Sequence, residues 1–229
     1  MAPIITAHAL LPGRAGEYRE WCRELRSRRS EYGASRTAAS IVHAASWLLP
    51  DLGLTVIRLD GSDPHTSLRQ LDNSDDLFDL WYREHEQHIH GTSLSESATP
   101  TELIADHHHA PIDPFDPYMA LAIPLLPGRT NDFRRIMQLG VETGHGPERA
   151  RGWGITRLTV HLQHTGEVDL ALYEISGDLP TMVRSVAGDS TRDMDDERNL
   201  FRTYFGVDLS AGELPIPEAT FAWSATSTP

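Results

Sequence analysis

The sequence predicts an α+β protein built from two tandem β-α-β-β-α-β units, and three observations carry that expectation. A Leu-Leu-Pro-Gly-Arg stretch occurs at residues 10–14 and again at 125–129, an offset of 115 residues. Each copy stands between an apolar run that ends in a turn and a segment of helical hydrophobic period. The segments after each copy also correspond in order: two strand-like runs, a helical run and a last strand-like run.

Residues 4–11 form a short apolar run stopped by Pro12-Gly13, a strand followed by a turn. From Ala15 the period changes. Tyr18, Trp21, Cys22 and Leu25 fall at i, i+3, i+4 and i+7, one face of a helix, with Glu17, Arg19, Glu20, Arg23 and Glu24 toward water. The second copy places Phe133, Ile136, Met137 and Gly140 at the same positions. Cys22 therefore matches Met137 and reads as a small core residue rather than a nucleophile.

Residues 41–49 and 53–60 read as two strands joined by Pro50-Asp51-Leu52, answered by 155–164 and 168–176 around Thr165-Gly166-Glu167. A second helix follows a Ser74-Asp75 cap and carries Leu77, Phe78, Trp81, Tyr82, His85, His88 and Ile89; its counterpart runs from about Met194 to Tyr204. Gly91 and Gly206 close the two helices. Last strands are expected near 102–108 and 218–225, the second followed by a frayed tail, Thr226-Ser227-Thr228-Pro229. Residues 110–117, with prolines at 111, 114 and 117, read as an extended linker, dividing the chain into units 1–109 and 118–229.

Composition narrows the function. The 229 residues carry a formal charge of −13, which argues against nucleic acid and against an anionic membrane surface. All 20 basic residues are arginine, which removes lysine Schiff-base chemistry and any phosphate-loop lysine. The single cysteine supports neither an internal disulfide nor a cysteine metal site. No apolar run approaches the ~20 residues of a membrane span. Met1-Ala2-Pro3 leads into a strand without a basic leader, so a cytoplasmic protein is expected. Dinucleotide fingerprints, phosphate loops and Gly-x-Ser-x-Gly elbows are absent from the sequence, and Gly144-His145-Gly146-Pro147 reads as a turn.

The β-α-β-β-α-β order is the ferredoxin-like one. With the Pro-Gly-Arg turn and the tandem copy, it resembles the dimeric α+β barrel superfamily. Arg26-Ser27-Arg28-Arg29-Ser30-Glu31 after the first helix is also similar to a small ferredoxin-like family. The resemblance implies an intrachain α+β barrel, as a monomeric pseudo-dimer or a homo-oligomer, with a ligand cavity between sheet and helices. It also implies relatives among cofactor-free antibiotic-biosynthesis monooxygenases, polyketide cyclases, lactone isomerases, haem enzymes and ligand-binding or stress proteins. Fold alone does not choose among these.

The repeat serves as an internal control, because a position apolar in one copy and ionisable in the other wants an explanation. His8 falls opposite Ile123 on the first strand, and His85 falls opposite Leu200 on the second helix. His43 falls opposite Thr159 and His88 opposite Thr203. Nine of the 12 histidines lie in the first 109 residues, which makes the first unit the expected site. A histidine in an apolar pocket titrates near neutrality and serves as acid or base. Trp21, Trp47, Trp81 and Tyr82 would then shape a pocket for a planar ligand. His85, His88 and the run His107-His108-His109 also raise a metal site, although the i, i+3 spacing is not that of a zinc protease.

The expectation is a cofactor-independent enzyme of secondary metabolism, a cyclase or monooxygenase-like catalyst on a polyketide-type or other aromatic substrate. His8 or His85 would be the acid or base, assisted by His43 and His88, with no metal. A non-catalytic ligand-binding or stress protein is the alternative, and a His-ligated metal enzyme the third reading.

Overall fold

A computed structural model describes residues 3–97, 99–108, 118–182, 192–211 and 215–225. The linker 110–117, His109 and the tail 226–229 lie outside the described residues. The protein is α+β with two four-stranded antiparallel sheets. It divides into two compact units, one of residues 1–100 with 217–229 and the other of 101–216.

In the first unit, β1 (Ile4–Ala9) is followed by α1 (Ala15–Ser27) and α2 (Arg29–Ala38), then by the hairpin of β2 (Ile41–Leu49) and β3 (Leu54–Gly61). β1 and β2 run parallel to each other with β3 antiparallel between them. The Pro-Gly-Arg turn launches α1, and Gly13 at φ +81° adopts the left-handed conformation that the turn requires. The same turn is tied to the far end of the second helix, because the Leu11 N–H donates to the Ile89 carbonyl. Leu126 and Tyr204 repeat that bond in the second unit, and Gly128 repeats the left-handed turn. The face expected of α1 is the buried one: Tyr18, Trp21, Cys22 and Leu25.

Three helices follow β3: α3 (Pro64–Asp72), α4 (Leu77–His90) and α5 (Leu94–Ser97). The cap of α4 is Asp76, whose carboxylate accepts the N–H groups of Phe78 and Asp79; the Ser74-Asp75 expectation misses it by one residue. α2, α3 and α5 have no counterpart in the expected order of two helices per unit; α2 and α3 are amphipathic helices of 10 and 9 residues.

The second unit contains β4 (Thr101–His108), β5 (Tyr118–Pro124), α6 (Thr130–Thr143), α7 (His145–Gly152), β6 (Ile155–His164), β7 (Asp169–Gly177) and α8 (Arg192–Phe205). The stretch expected to be only a turn, Gly144-His145-Gly146-Pro147, caps α6 at Gly144 and then opens α7. β8 (Glu218–Ser224) completes the element list.

The closing strands depart from the expected order. A self-contained unit would return its last strand to its own sheet. Instead the sheets read β1-β3-β2-β8 and β4-β6-β7-β5, so each half of the sequence supplies the other unit's fourth strand. β8 is held firmly in the first unit. Phe221 and Trp223 enter its core, against Tyr32 at 4.8 and 5.7 Å between ring centroids. Arg19 grips Glu218 through two bonds of 2.7 Å, and Arg26 and Arg29 donate to the carbonyls of Thr220 and Ala222. Gly33 makes room for Trp223, since a β-carbon there would lie 2.9 Å from the indole nitrogen.

Among the described residues no helix is long and apolar enough to cross a membrane.

Candidate active site

Between the first sheet and its helices lies a partly open pocket of about 690 Å³, solvent-continuous space included, narrow enough that only water-sized molecules enter without side-chain movement. Its floor is Ala44, Ser46, Ile57, Leu59 and Phe221; Trp21, Tyr32 and Tyr82 supply aromatic walls, with Leu68, Leu71 and Leu94 beside them.

Three charged side chains are buried against this apolar lining. Arg36, from α2, is 3% exposed, and Asp79 and Glu86, from α4, are 5% and 3% exposed. The Arg36 guanidinium lies between two phenol rings, 4.6 Å from the Tyr32 centroid and 4.3 Å from that of Tyr82, favourable cation–π geometry in a desolvated setting. It pairs with Asp79 at 3.3 Å, and Ser35 bridges the two, receiving 2.7 Å from Arg36 and donating 2.5 Å to Asp79.

Glu86 is different. Its carboxylate accepts the Leu94 N–H at 3.0 Å. Burial pushes its pKa up to about 7, against the opposing pull of the Leu94 N–H and the Arg36 charge. Burial likewise raises Tyr32, Tyr82 and Cys22, so these stay neutral around Glu86. A carboxyl group half-ionised near pH 7 beside a fixed guanidinium can take a proton from a weak acid and leave the resulting anion facing positive charge. The Trp21 indole N–H, also at the cavity, is buried without a hydrogen-bond partner, an available donor for an acceptor entering there.

The four histidines expected to cooperate do not converge. His8, on β1, is buried, donates to or accepts from Thr92 at 3.0 Å, and stacks on His90 rather than meeting His85. His85 bonds through Nδ1 to the carbonyl of Trp81, one turn earlier in its own helix, at 2.9 Å. Its ring rests against Trp81 at 4.5 Å. His88 is exposed in a surface cluster with Glu17 and Arg14, at 2.8 and 3.0 Å. His43 bonds Asp60 at 2.9 Å. Burial raises the Asp60 carboxyl, yet the hydrogen bonds from His43 and Arg58 outweigh it and hold the group well below the usual range.

Of the aromatics, Trp21 and Tyr82 line the cavity. Trp81 stands beside it, packed on Phe78 with the Arg28 guanidinium 4.1 Å from its ring. Trp47 occupies the other face of the sheet. It alternates with Ala44, Ser46 and Leu48 along β2 and shares its side with His43 and Ala45.

Glu86, absent from the expected site, has a readable signal, whereas Arg36, opposite Arg151 at the offset of 115 residues, has none. At the offset of 115 residues, Glu86 and His90 fall opposite Phe201 and Phe205, both buried in the second unit. Among the described residues no group of three or more His, Cys, Asp or Glu side chains is arranged to hold a metal ion. His107 belongs to the second sheet, and His109 lies outside the described residues.

With this geometry in place, comparison with solved structures is informative about the fold. An anthrone oxidase-like protein superposes with a TM-score of 0.54 at 11% identity, covering 98% of this chain and 93% of the other. The two proteins share a fold. A candidate monooxygenase from Fusobacterium nucleatum superposes less closely, at a TM-score of 0.48 and 11% identity over 99% and 98% of the chains. Another from Lactobacillus acidophilus reaches 0.45 at 9% identity over 98% and 99%. No family model matches the sequence, and no curated protein matches it.

Proposed function

We propose that the cavity of the first unit is the active site of a cofactor-independent, monooxygenase-like enzyme of secondary metabolism, acting on a small polyketide-type aromatic molecule. The tandem ferredoxin-like reading of the fold, a cytoplasmic setting and a small-molecule rather than nucleic-acid or membrane partner belong to the same proposal. The observation that carries it is Glu86: a buried carboxyl group with a pKa of about 7, among aromatic walls and beside Arg36. The likeness to an anthrone oxidase-like protein suggests the substrate class.

Glu86 takes a proton from a methylene flanked by aromatic rings, and Arg36 stabilises the delocalised anion. The anion gives its electrons to dioxygen, the co-reactant. A C–O bond forms, the O–O bond breaks and the second methylene proton leaves, so that CH₂ and O₂ become C=O and H₂O. The aromatic walls exclude bulk water and orient the ring plane.

Oxygen uptake with anthrone as probe tests this. The wild type should exceed uncatalysed autoxidation, with kcat/KM rising as pH passes about 7, where Glu86 becomes the free base. Glu86→Gln should lower kcat by about 10²–10⁴, the usual worth of a positioned base. A wild-type rate equal to the uncatalysed one, or an unimpaired Glu86→Gln enzyme, overturns the proposal.

A further inference from the structure

The second unit has a cavity of its own, in the place that corresponds to the first. It is a partly open pocket of about 510 Å³, solvent-continuous space included, as narrow inside as the first, so that a ligand enters only with side-chain movement. It is almost wholly apolar, bounded by Leu121, Trp153, Leu158, Met182, Phe201 and their neighbours. Two polar side chains reach it, Tyr173 from β7 and Glu197 from α8.

The pattern of polar groups is inverted relative to the first unit. Phe201 stands where the first unit has Glu86, and Glu197 where it has Tyr82. Through the strand registers, Tyr173 faces Leu121 as Ile57 faces Thr6, so a tyrosine replaces an isoleucine on the cavity floor. The first cavity has a buried carboxyl group at the Glu86 position; the second has Phe201 there and gains the Tyr173 phenol on its floor.

That phenol is unsatisfied. Tyr173 is 7% exposed, and its hydroxyl is buried with no hydrogen-bond partner among the described residues. Burial holds it well above its ordinary pKa, with the Glu197 charge acting in the same direction, so it remains a neutral donor. An orphaned buried hydroxyl is destabilising, and such groups in folded proteins ordinarily have a partner. Its ring is fixed by Phe201, 6.2 Å away and 26° from parallel. A fixed donor in an apolar cavity is complementary to a small apolar molecule with one acceptor. The Glu197 charge works against an anionic acceptor such as a carboxylate.

We propose that the second unit is a separate binding site for a small, neutral, largely apolar carbonyl compound, whose oxygen accepts the Tyr173 hydroxyl proton. The cavity walls take its hydrocarbon part by apolar burial, with Met119 and Met182 able to adjust to its outline. No acid–base chemistry is assigned there, because the position of Glu86 is filled by Phe201.

Calorimetric titration of the full chain with 1-indanone and with indane tests this, since the two differ essentially in the carbonyl. Wild type should bind 1-indanone saturably and more tightly than indane. Tyr173→Phe, which removes an orphaned hydroxyl and keeps the ring, should weaken 1-indanone roughly three- to tenfold and leave indane unchanged. Leu158→Trp should block both ligands, while Glu86→Gln should alter neither, which separates this site from the first cavity. Absence of saturable binding, equal weakening of both ligands by Tyr173→Phe, or loss of binding in Glu86→Gln would overturn the inference. Thermal unfolding of each variant confirms that it is folded.

Discussion

The imidazole rings of His8 and His90 stack with centroids 3.9 Å apart and planes 13° from parallel. Burial holds the pKa of His8 at about 3, with the neighbouring His90 contributing, and burial holds that of His90 at about 4 despite its bond to the Ala9 carbonyl. The second unit has Ile123 and Phe205 in these positions, so the fold requires only apolar packing there. Below about pH 6.5 the unfolded chain takes up protons that the folded chain refuses. Stability therefore falls as pH drops from about 6.5 toward 4, by about 1.4 kcal/mol per pH unit for each imidazole. His8→Ile with His90→Phe should flatten this slope in urea titrations between pH 7.5 and 4.5. Equal slopes in the two proteins would refute the assignment.

Glu86 has the opposite sign. Its pKa is about 7 in the folded protein against 4.5 for an unperturbed group. Between these values the folded chain keeps a proton that the unfolded chain releases, so stability declines as pH rises from 4.5 to 7 and is level above. Glu86→Gln lacks that decline and should be more stable than wild type at pH 8 by a few kcal/mol. Urea midpoints at pH 5 and pH 8 read it directly; a wild type and variant that differ equally at both values would contradict it.

Arg36 and Asp79 form a buried pair at 3.3 Å, and removing one partner strands the other charge. Asp79→Ala should cost about 3–5 kcal/mol. Replacing the pair together, Arg36→Met with Asp79→Ala, should cost less than Asp79→Ala alone. A double-mutant cycle by chemical denaturation checks this, and additive losses would show that the pair is not coupled.

The exchanged strand β8 predicts an asymmetric effect of truncation. Removing residues 217–229 deletes Phe221 and Trp223 from the first unit's core, where loss of either ring costs about 3–5 kcal/mol. Amide exchange should show residues 1–100 deprotected and residues 101–216 still protected. Uniform protection throughout would mean that β8 is dispensable to its sheet.

The sequence carries the element order well: α1 buries the four positions expected of it, whereas in its second-unit counterpart α6 Phe133 is buried and Ile136 is exposed. It is less clear about α4. Placing Trp81, His85 and His88 on the apolar arc, with Asp79 and Glu86 left off it, sets the buried arc about one residue out of phase. The buried positions are Phe78, Asp79, Glu86, Ile89 and His90. Hydropathy points a carboxylate toward water by construction, so a buried one inverts the reading. The better guide was the repeat, applied to Phe201 and Phe205 rather than to Leu200. Strand alternation likewise separates Trp47 from Ser46, but it does not name a strand's neighbour, so the exchange of β4 and β8 left no mark in local periodicity.

That exchange also sets a timetable for synthesis. The edge of β2 that receives β8 has its residues in place by Leu49, but its partner is not complete until Ser224. At about 5–20 residues per second this is a wait of roughly 10–35 s. Throughout it the first sheet presents an unpaired edge to every neighbouring nascent chain. His43 and Ser46 lie on that edge among Ala44, Ala45, Trp47 and Leu48, a run without Asp, Glu, Arg or Lys to discourage a wrong partner. Yield should therefore depend on translation speed and on chaperones that cover strand edges, more than the stability of the finished protein would suggest.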